Sequence, residues 1–207
     1  EQREMADRVE KLKEAAAKLE DQLKQAGALD SALARQLQEA QDLLKEALTA
    51  DLMEQMKKLE NATRELSGDQ ARDALKNLAE MQRRLREQLE KSAEMLKRAA
   101  LEGAMETLKD EAKEIADDQK SLADSSGRMG APRKQDQSKQ HADRSDRLSK
   151  DVKQLQDRLA KEKADPAAQK AGSAKDRANA SADKMRQQDA RSASEQMEQA
   201  AKDLADA

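Results

Sequence analysis

No Phe, Trp or Tyr occurs in the 207 residues, and there is no Cys, one His, two Pro and six Gly. Aromatic rings are the bulkiest fillers of globular cores and dominate binding hot spots. A chain without them must bury itself through a narrow seam of small and medium aliphatic side chains, as packed helices do. Strands are starved too: Val9, Val152 and Ile115 are the only aliphatics branched at Cβ, and strands favour β-branched and aromatic residues. Without Cys there is neither a disulfide nor a thiolate metal site, and the redox compartment stays open. No apolar run approaches the ~20 residues that span a bilayer, and no signal-peptide pattern is present. The chain begins at Glu1 rather than Met, so it is expected to be a piece of something larger.

What is present favours helix. Ala alone supplies 39 apolar residues, with 24 Leu and nine Met, and charged residues make up 40% of the chain. Ala, Leu, Glu, Lys, Gln, Arg and Met head the helix-propensity order. This composition with heptad-like spacing predicts an all-α fold of elongated antiparallel helical hairpins, a coiled-coil bundle. The larger aliphatics are uneven: residues 1–123 hold 28 of the 36 that are not Ala, and 124–207 only eight. The second part is expected to be marginal alone, and would order on a partner if the chain is an accessory subunit.

Met5, Val9, Leu12, Ala16, Leu19, Leu23 and Ala26 recur at spacings of four and three, the seam of a first helix over about 2–26. Gly27 suits a left-handed helix stop and Asp30 a cap for the next helix, so an αα-hairpin is expected. That second helix, about 31–48, carries Leu33, Leu37, Ala40, Leu44 and Ala47. A restart at Thr49 to Asp51 opens a third over about 50–66, with Leu52, Met56, Leu59, Thr63 and Leu66, and Ser67-Gly68-Asp69 ends it. A long helix over about 70–123 follows. Its seam runs through Leu78, Leu85, Leu89, Leu96 and Ala100, then slips in phase to Leu101, Met105, Leu108, Ala112, Ile115, Gln119 and Leu122. It outreaches the segment folding back on it, so its end near Ile115 and Leu122 needs another partner, from this chain or a second copy.

The expected organisation is therefore a bundle over 1–123, a linker over 124–147 marked by Gly127, Gly130 and Pro132, and a C-terminal part over 148–207. That part has a short heptad helix (Leu148, Val152, Leu155, Leu159) and an Ala-rich helix opened by Asp165-Pro166. Its stripe is Ala171, Ala178, Ala182, Met185, Ala193, Met197, Ala200 and Leu204, and it is expected to dock on the bundle or a partner.

No constellation carries catalysis. The single His141 falls in the expected linker with no Glu three residues before it, so a Glu-x-x-His metal helix and a base-activated nucleophile are both excluded. No glycine-rich phosphate loop exists. Arg83, Arg84 and Arg86 with Glu87, Glu90 and Glu94 read as surface ion pairs rather than an acidic site. Met53, Met56, Met81, Met95 and Met105 sit near seam positions and read as core filling rather than an adaptable groove. Expected catalytic, cofactor-binding and metal-binding residues are thus none, with no small-molecule substrate and no cofactor. Segment 128–163 has eleven Lys and Arg against six Asp and Glu. Lacking any aromatic to stack a base, it is expected to dock on the acidic bundle and not on nucleic acid.

The segments Leu43 to Glu54 (Leu-Leu-Lys-Glu-Ala-Leu-Thr-Ala-Asp-Leu-Met-Glu), Leu66 to Leu78 and Leu89 to Arg98 resemble a family of uncharacterised bacterial proteins. These are large and membrane-anchored, with a long Gln/Glu/Lys-rich helical region after N-terminal transmembrane helices. The resemblance runs over about 43–121. Ala50 stands where the family usually has Pro, and no anchor is present. The resemblance implies the extramembrane helical part of an envelope protein, periplasmic or membrane-anchored, and implies no activity. The resulting expectation is a non-enzymatic structural or scaffolding coiled-coil module that binds protein partners or itself and meets the membrane only through missing anchor segments. The alternatives are an amphipathic lipid- or surface-binding protein and an accessory subunit of a larger complex.

Overall fold

The computed structural model describes residues 2–47, 54, 58, 69–125 and 131–207. Among them the fold is all-α, with no strand. Six helices follow in order: α1 Gln2–Gln25, α2 Ser31–Ala47, α3 Asp69–Ser125, α4 Ala131–Lys161, α5 Asp165–Arg186 and α6 Ala190–Ala205. The expected helix at 50–66 with its Thr49 cap, the Ser67-Gly68 turn, and the side chains of Met5, Ala47 and Leu78 lie outside the described residues. The chain divides into two compact units, Glu1–Ala100 and Leu101–Ala207. The expected boundary near residue 123 is therefore wrong: α3 belongs to both units. The division falls at the phase slip in its seam. Leu85, Leu89, Leu96 and Ala99 are buried in the first unit's core, and Leu108, Ala112, Ile115 and Ala116 in the second's.

In the first unit, Val9, Ala16 and Leu23 of α1 pack with Leu33, Leu37, Ala40 and Leu44 of α2 and with that first stretch of α3. The heptad spacing predicts these positions, with two exceptions. Ala26 is exposed while Ala28, just past the turn, is buried; Ala99 rather than Ala100 is fully buried. The α1–α2 turn is a Schellman stop. Gly27 takes φ 68°, the Ala28 N–H bonds the Leu23 carbonyl at 3.0 Å and the Gly27 N–H that of Lys24 at 3.2 Å. Asp30 Oδ1 then accepts from the Leu33 N–H at 2.7 Å, the cap read from the sequence. Gln41 of α2 donates to Glu20 of α1 at 2.9 Å.

The second unit is an antiparallel bundle of four helical segments: the last part of α3, then α4, α5 and α6. Its largest fully buried side chains include Ile115, Leu148, Val152, Met185 and Met197. Each contributes on the order of 1.5–3 kcal/mol by leaving water. Between them run small residues, Ala171, Ala174, Ala178 and Ala182 on α5 and Ala193, Ala200 and Ala201 on α6, all almost wholly buried. They let helix backbones approach closely. At Gly172 a Cβ would meet the side-chain amide of Gln156 on α4, with Nε2 at 2.7 Å, so a larger residue there would make that side chain shift.

Three expectations for this region need correction. Residues 131–147 are helix, not linker: α4 runs unbroken from Ala131. Pro132 sits in its first turn, where a missing N–H costs nothing. Its buried stripe there is Ser138, Ala142 and Ser145, in which only Ala142 is apolar. The Ala-rich helix is two helices, broken at Gln187–Asp189 without Gly or Pro. Gln188 takes φ 60° and repeats the Schellman pattern, with Asp189 N–H to Lys184 O at 2.9 Å and Gln188 N–H to Met185 O at 2.9 Å. Lys163, at φ 59°, does the same between α4 and α5. Finally, Asp165 makes no capping hydrogen bond and stands in the first turn of α5 beside Pro166, whereas Asp189 caps α6 through Ser192 N–H at 3.1 Å.

The expected cover for the far end of α3 is supplied by this same chain. Leu148, Val152, Leu155 and Leu159 of α4 join Ile115 in one core, with α5 and α6 completing it.

Candidate functional site

The seam phase that buries Leu108, Ala112, Ile115 and Leu122 also carries Gln119 inward, fully buried. A buried amide must find partners or lose several kcal/mol of solvation, on the order of 2–7. Here it meets two hydroxyls on neighbouring helices. Gln119 Nε2 donates to Ser145 Oγ of α4 and to Ser181 Oγ of α5, each at 3.1 Å. Ser181 Oγ lies 3.2 Å from Gln119 Oε1, to which it donates. Ser145 Oγ in turn donates to the His141 carbonyl at 3.0 Å. One turn away, Ser194 Oγ of α6 donates to the Ala116 carbonyl at 3.0 Å. All four helical segments of the unit are thereby joined through a polar layer inside an apolar core.

At the flank of this layer Arg144 bridges α4 to α3, donating to Asp118 at 2.5 Å and to Glu114 at 3.1 Å. Burial opposes its charge, but the bonds to Asp118 and Glu114 outweigh that and hold its pKa above the ordinary guanidinium value. Residues 101–125 carry eight Asp and Glu against three Lys, so the basic segment expected to dock on an acidic surface meets one on α3. Glu111 nearby is pushed above the ordinary carboxylate value, chiefly by burial and then by Asp151; Arg144 opposes the shift.

His141, expected in a linker, lies on α4 and is half-buried. Its Nδ1 is buried without a hydrogen-bond partner, as is Ser138 Oγ one turn earlier. Burial lowers its pKa, with Asp118 opposing and Arg144 assisting.

Beside the first turn of α6 an open groove of about 590 Å³ is lined by Lys120, Asp124, Lys134, Arg191, Glu195 and Glu198 among others. Its charges of both signs favour no one ligand class. Among the described residues no group of three or more His, Asp or Glu is arranged to hold a metal ion, and no helix is long and apolar enough to cross a membrane.

The sequence assigned no catalytic or ligand residue. Of the side chains it weighed, Arg83 pairs with Glu87 at 2.8 Å and Glu94 with Arg98 at 2.9 Å, all strongly exposed. Such pairs contribute a few tenths of a kcal/mol, roughly 0.3–0.5. Met81, Met95 and Met105 are partly buried against the two cores; Met53 and Met56 lie outside the described residues. The sequence placed Gln119 on the seam, but its partners Ser145 and Ser181 gave no signal because both lie among polar residues. No family model, curated protein or solved structure matches this chain.

Proposed function

We propose that the chain is a non-enzymatic structural module that spaces or scaffolds other proteins through its charged outer faces. The observation that carries this reading is the fate of the polar layer around Gln119. Gln119, Ser145 and Ser181 bond to one another across three helices instead of converging on a cavity. Chemistry on a substrate needs groups held ready for it; the Gln119 amide and the Ser145 and Ser181 hydroxyls are spent on joining helices. The resemblance over 43–121 supports a place in a bacterial envelope, outside the membrane.

The test is chemical crosslinking of the purified chain to an envelope fraction, with mass measurement of the free chain in solution. A defined protein adduct, or self-association, that is weakened by charge reversal on exposed helix faces while helicity is retained would support the module. Flotation of the chain with liposomes and no protein adduct would overturn it in favour of a lipid-binding role.

A further inference from the structure

We propose that His141 makes the α3–α4 contact of the second unit acid-sensitive: taking up a proton there loosens the packing of α4 on α3. His141 is the only histidine in the chain, and histidine is the side chain that ordinarily changes charge between about pH 5 and 8. Its geometry resists the proton. A neutral imidazole can keep its hydrogen on Nε2 and leave Nδ1 bare, but the imidazolium carries a hydrogen on both nitrogens. Nδ1 is buried and has no partner to accept that hydrogen. Ser138 Oγ, the other unpartnered buried atom on this stretch of α4, is not within hydrogen-bonding distance of it.

The surrounding charges divide. From α3, Asp118 favours the protonated ring, but its carboxylate and that of Glu114 are engaged by Arg144. From α4 itself, the Arg144 guanidinium opposes a second cation. α5 and α6 meet the adjoining Ala142 through Met185, Ala190 and Ala193. The charges near that end are Arg186, bound to Asp146 and Asp183, and Asp189, which accepts from the Ser192 N–H to cap α6, with Lys184 nearby.

The consequence reaches the core because the His141 carbonyl accepts from Ser145, a member of the Gln119 layer. The sign follows from linkage. A histidine whose folded-state pKa is depressed contributes stability that is fully present above its unfolded value, 6.5, and that falls as pH drops below it.

The decisive experiment is an NMR titration of the full chain, where one imidazole gives one unambiguous signal, paired with urea unfolding followed by circular dichroism at pH 7.5 and pH 5. The imidazole midpoint is expected below 6.5. The unfolding equilibrium constant of the second unit should rise several-fold more on acidification in the native chain than in His141→Gln, which shares every carboxylate. Arg144→Gln should raise the midpoint. A midpoint at or above 6.5, or an identical pH response in native chain and His141→Gln, would overturn the proposal. The titration of the native chain decides it even if a variant fails to fold.

Discussion

Substituting Gln119 three ways separates what its polar bonds contribute from what its bulk contributes. The side chain is fully buried and makes close contacts of 3.1, 3.1 and 3.2 Å with two hydroxyls. At a net ~1 kcal/mol per buried hydrogen bond, the set is worth roughly 2–3 kcal/mol. Gln119→Leu removes it but refills the space with apolar volume worth about 2 kcal/mol. Ser145 keeps the His141 carbonyl as its acceptor, and Ser181, which loses Gln119 Oε1, has Ser145 Oγ 3.5 Å away, so neither hydroxyl is orphaned. The net change for Leu should be within about 1 kcal/mol of zero. Gln119→Ala loses the bonds and leaves a cavity, costing roughly 3 kcal/mol. Gln119→Lys buries an unpaired charge and should cost at least as much, about 3–5 kcal/mol. Because the chain has no aromatic residue, intrinsic fluorescence is silent, so urea unfolding is followed by circular dichroism. The predicted order of stability is native close to Leu, then Ala, then Lys. An Ala variant as stable as the native chain would refute the burial of this layer. A Leu variant worse than Ala would refute the argument that volume can replace the bonds.

Other outcomes follow from the same reasoning. Leu85, 2% exposed in the first unit's core, should tolerate no charge: Leu85→Lys is expected to lower stability by roughly 3 kcal/mol in thermal or urea melts. Lys163→Gly and Gln188→Gly should each stabilise by about 0.5 kcal/mol, since both hold positive φ where Gly is unstrained, whereas Gly27→Ala should cost about 1 kcal/mol. Glu111 has a raised folded-state pKa, so its contribution is favourable below its ordinary value of 4.5 and is lost as pH rises through the folded value. Glu111→Gln should therefore raise the melting temperature at pH 7 and bring no gain near pH 4.

Spacing made the first hairpin legible because its signals agree: Val9, Ala16 and Leu23 repeat in phase, Gly27 stops the helix and Asp30 restarts it. The slip after Leu96 was legible too, and it marks where one unit gives way to the next. Residues 131–147 were not, because their buried stripe is made of Ser138, Ala142 and Ser145. Hydroxyls fit a helix interface as well as a methyl group does once their hydrogens find a carbonyl or each other, yet in sequence they read as solvent-facing. The break before Asp165-Pro166 was legible, but the one at Gln188 escaped for a related reason. Its left-handed backbone is held by Gln188, which does not advertise a helix stop as Gly27 does. The Gln119 layer was half visible, its amide placed on the seam but its partners hidden in polar text.

Residues 101–207 spend their apolar side chains on one packed helical unit. Hydrogen exchange followed by mass spectrometry on the full chain tests it directly. Backbone amides around Ile115, Val152, Ala178 and Met197 are expected to exchange slowest in this unit and to open together, with one shared dependence on urea. Fast exchange around Ala178 and Met197 while Ile115 stays protected would contradict it, because α5 and α6 would then not belong to a common core.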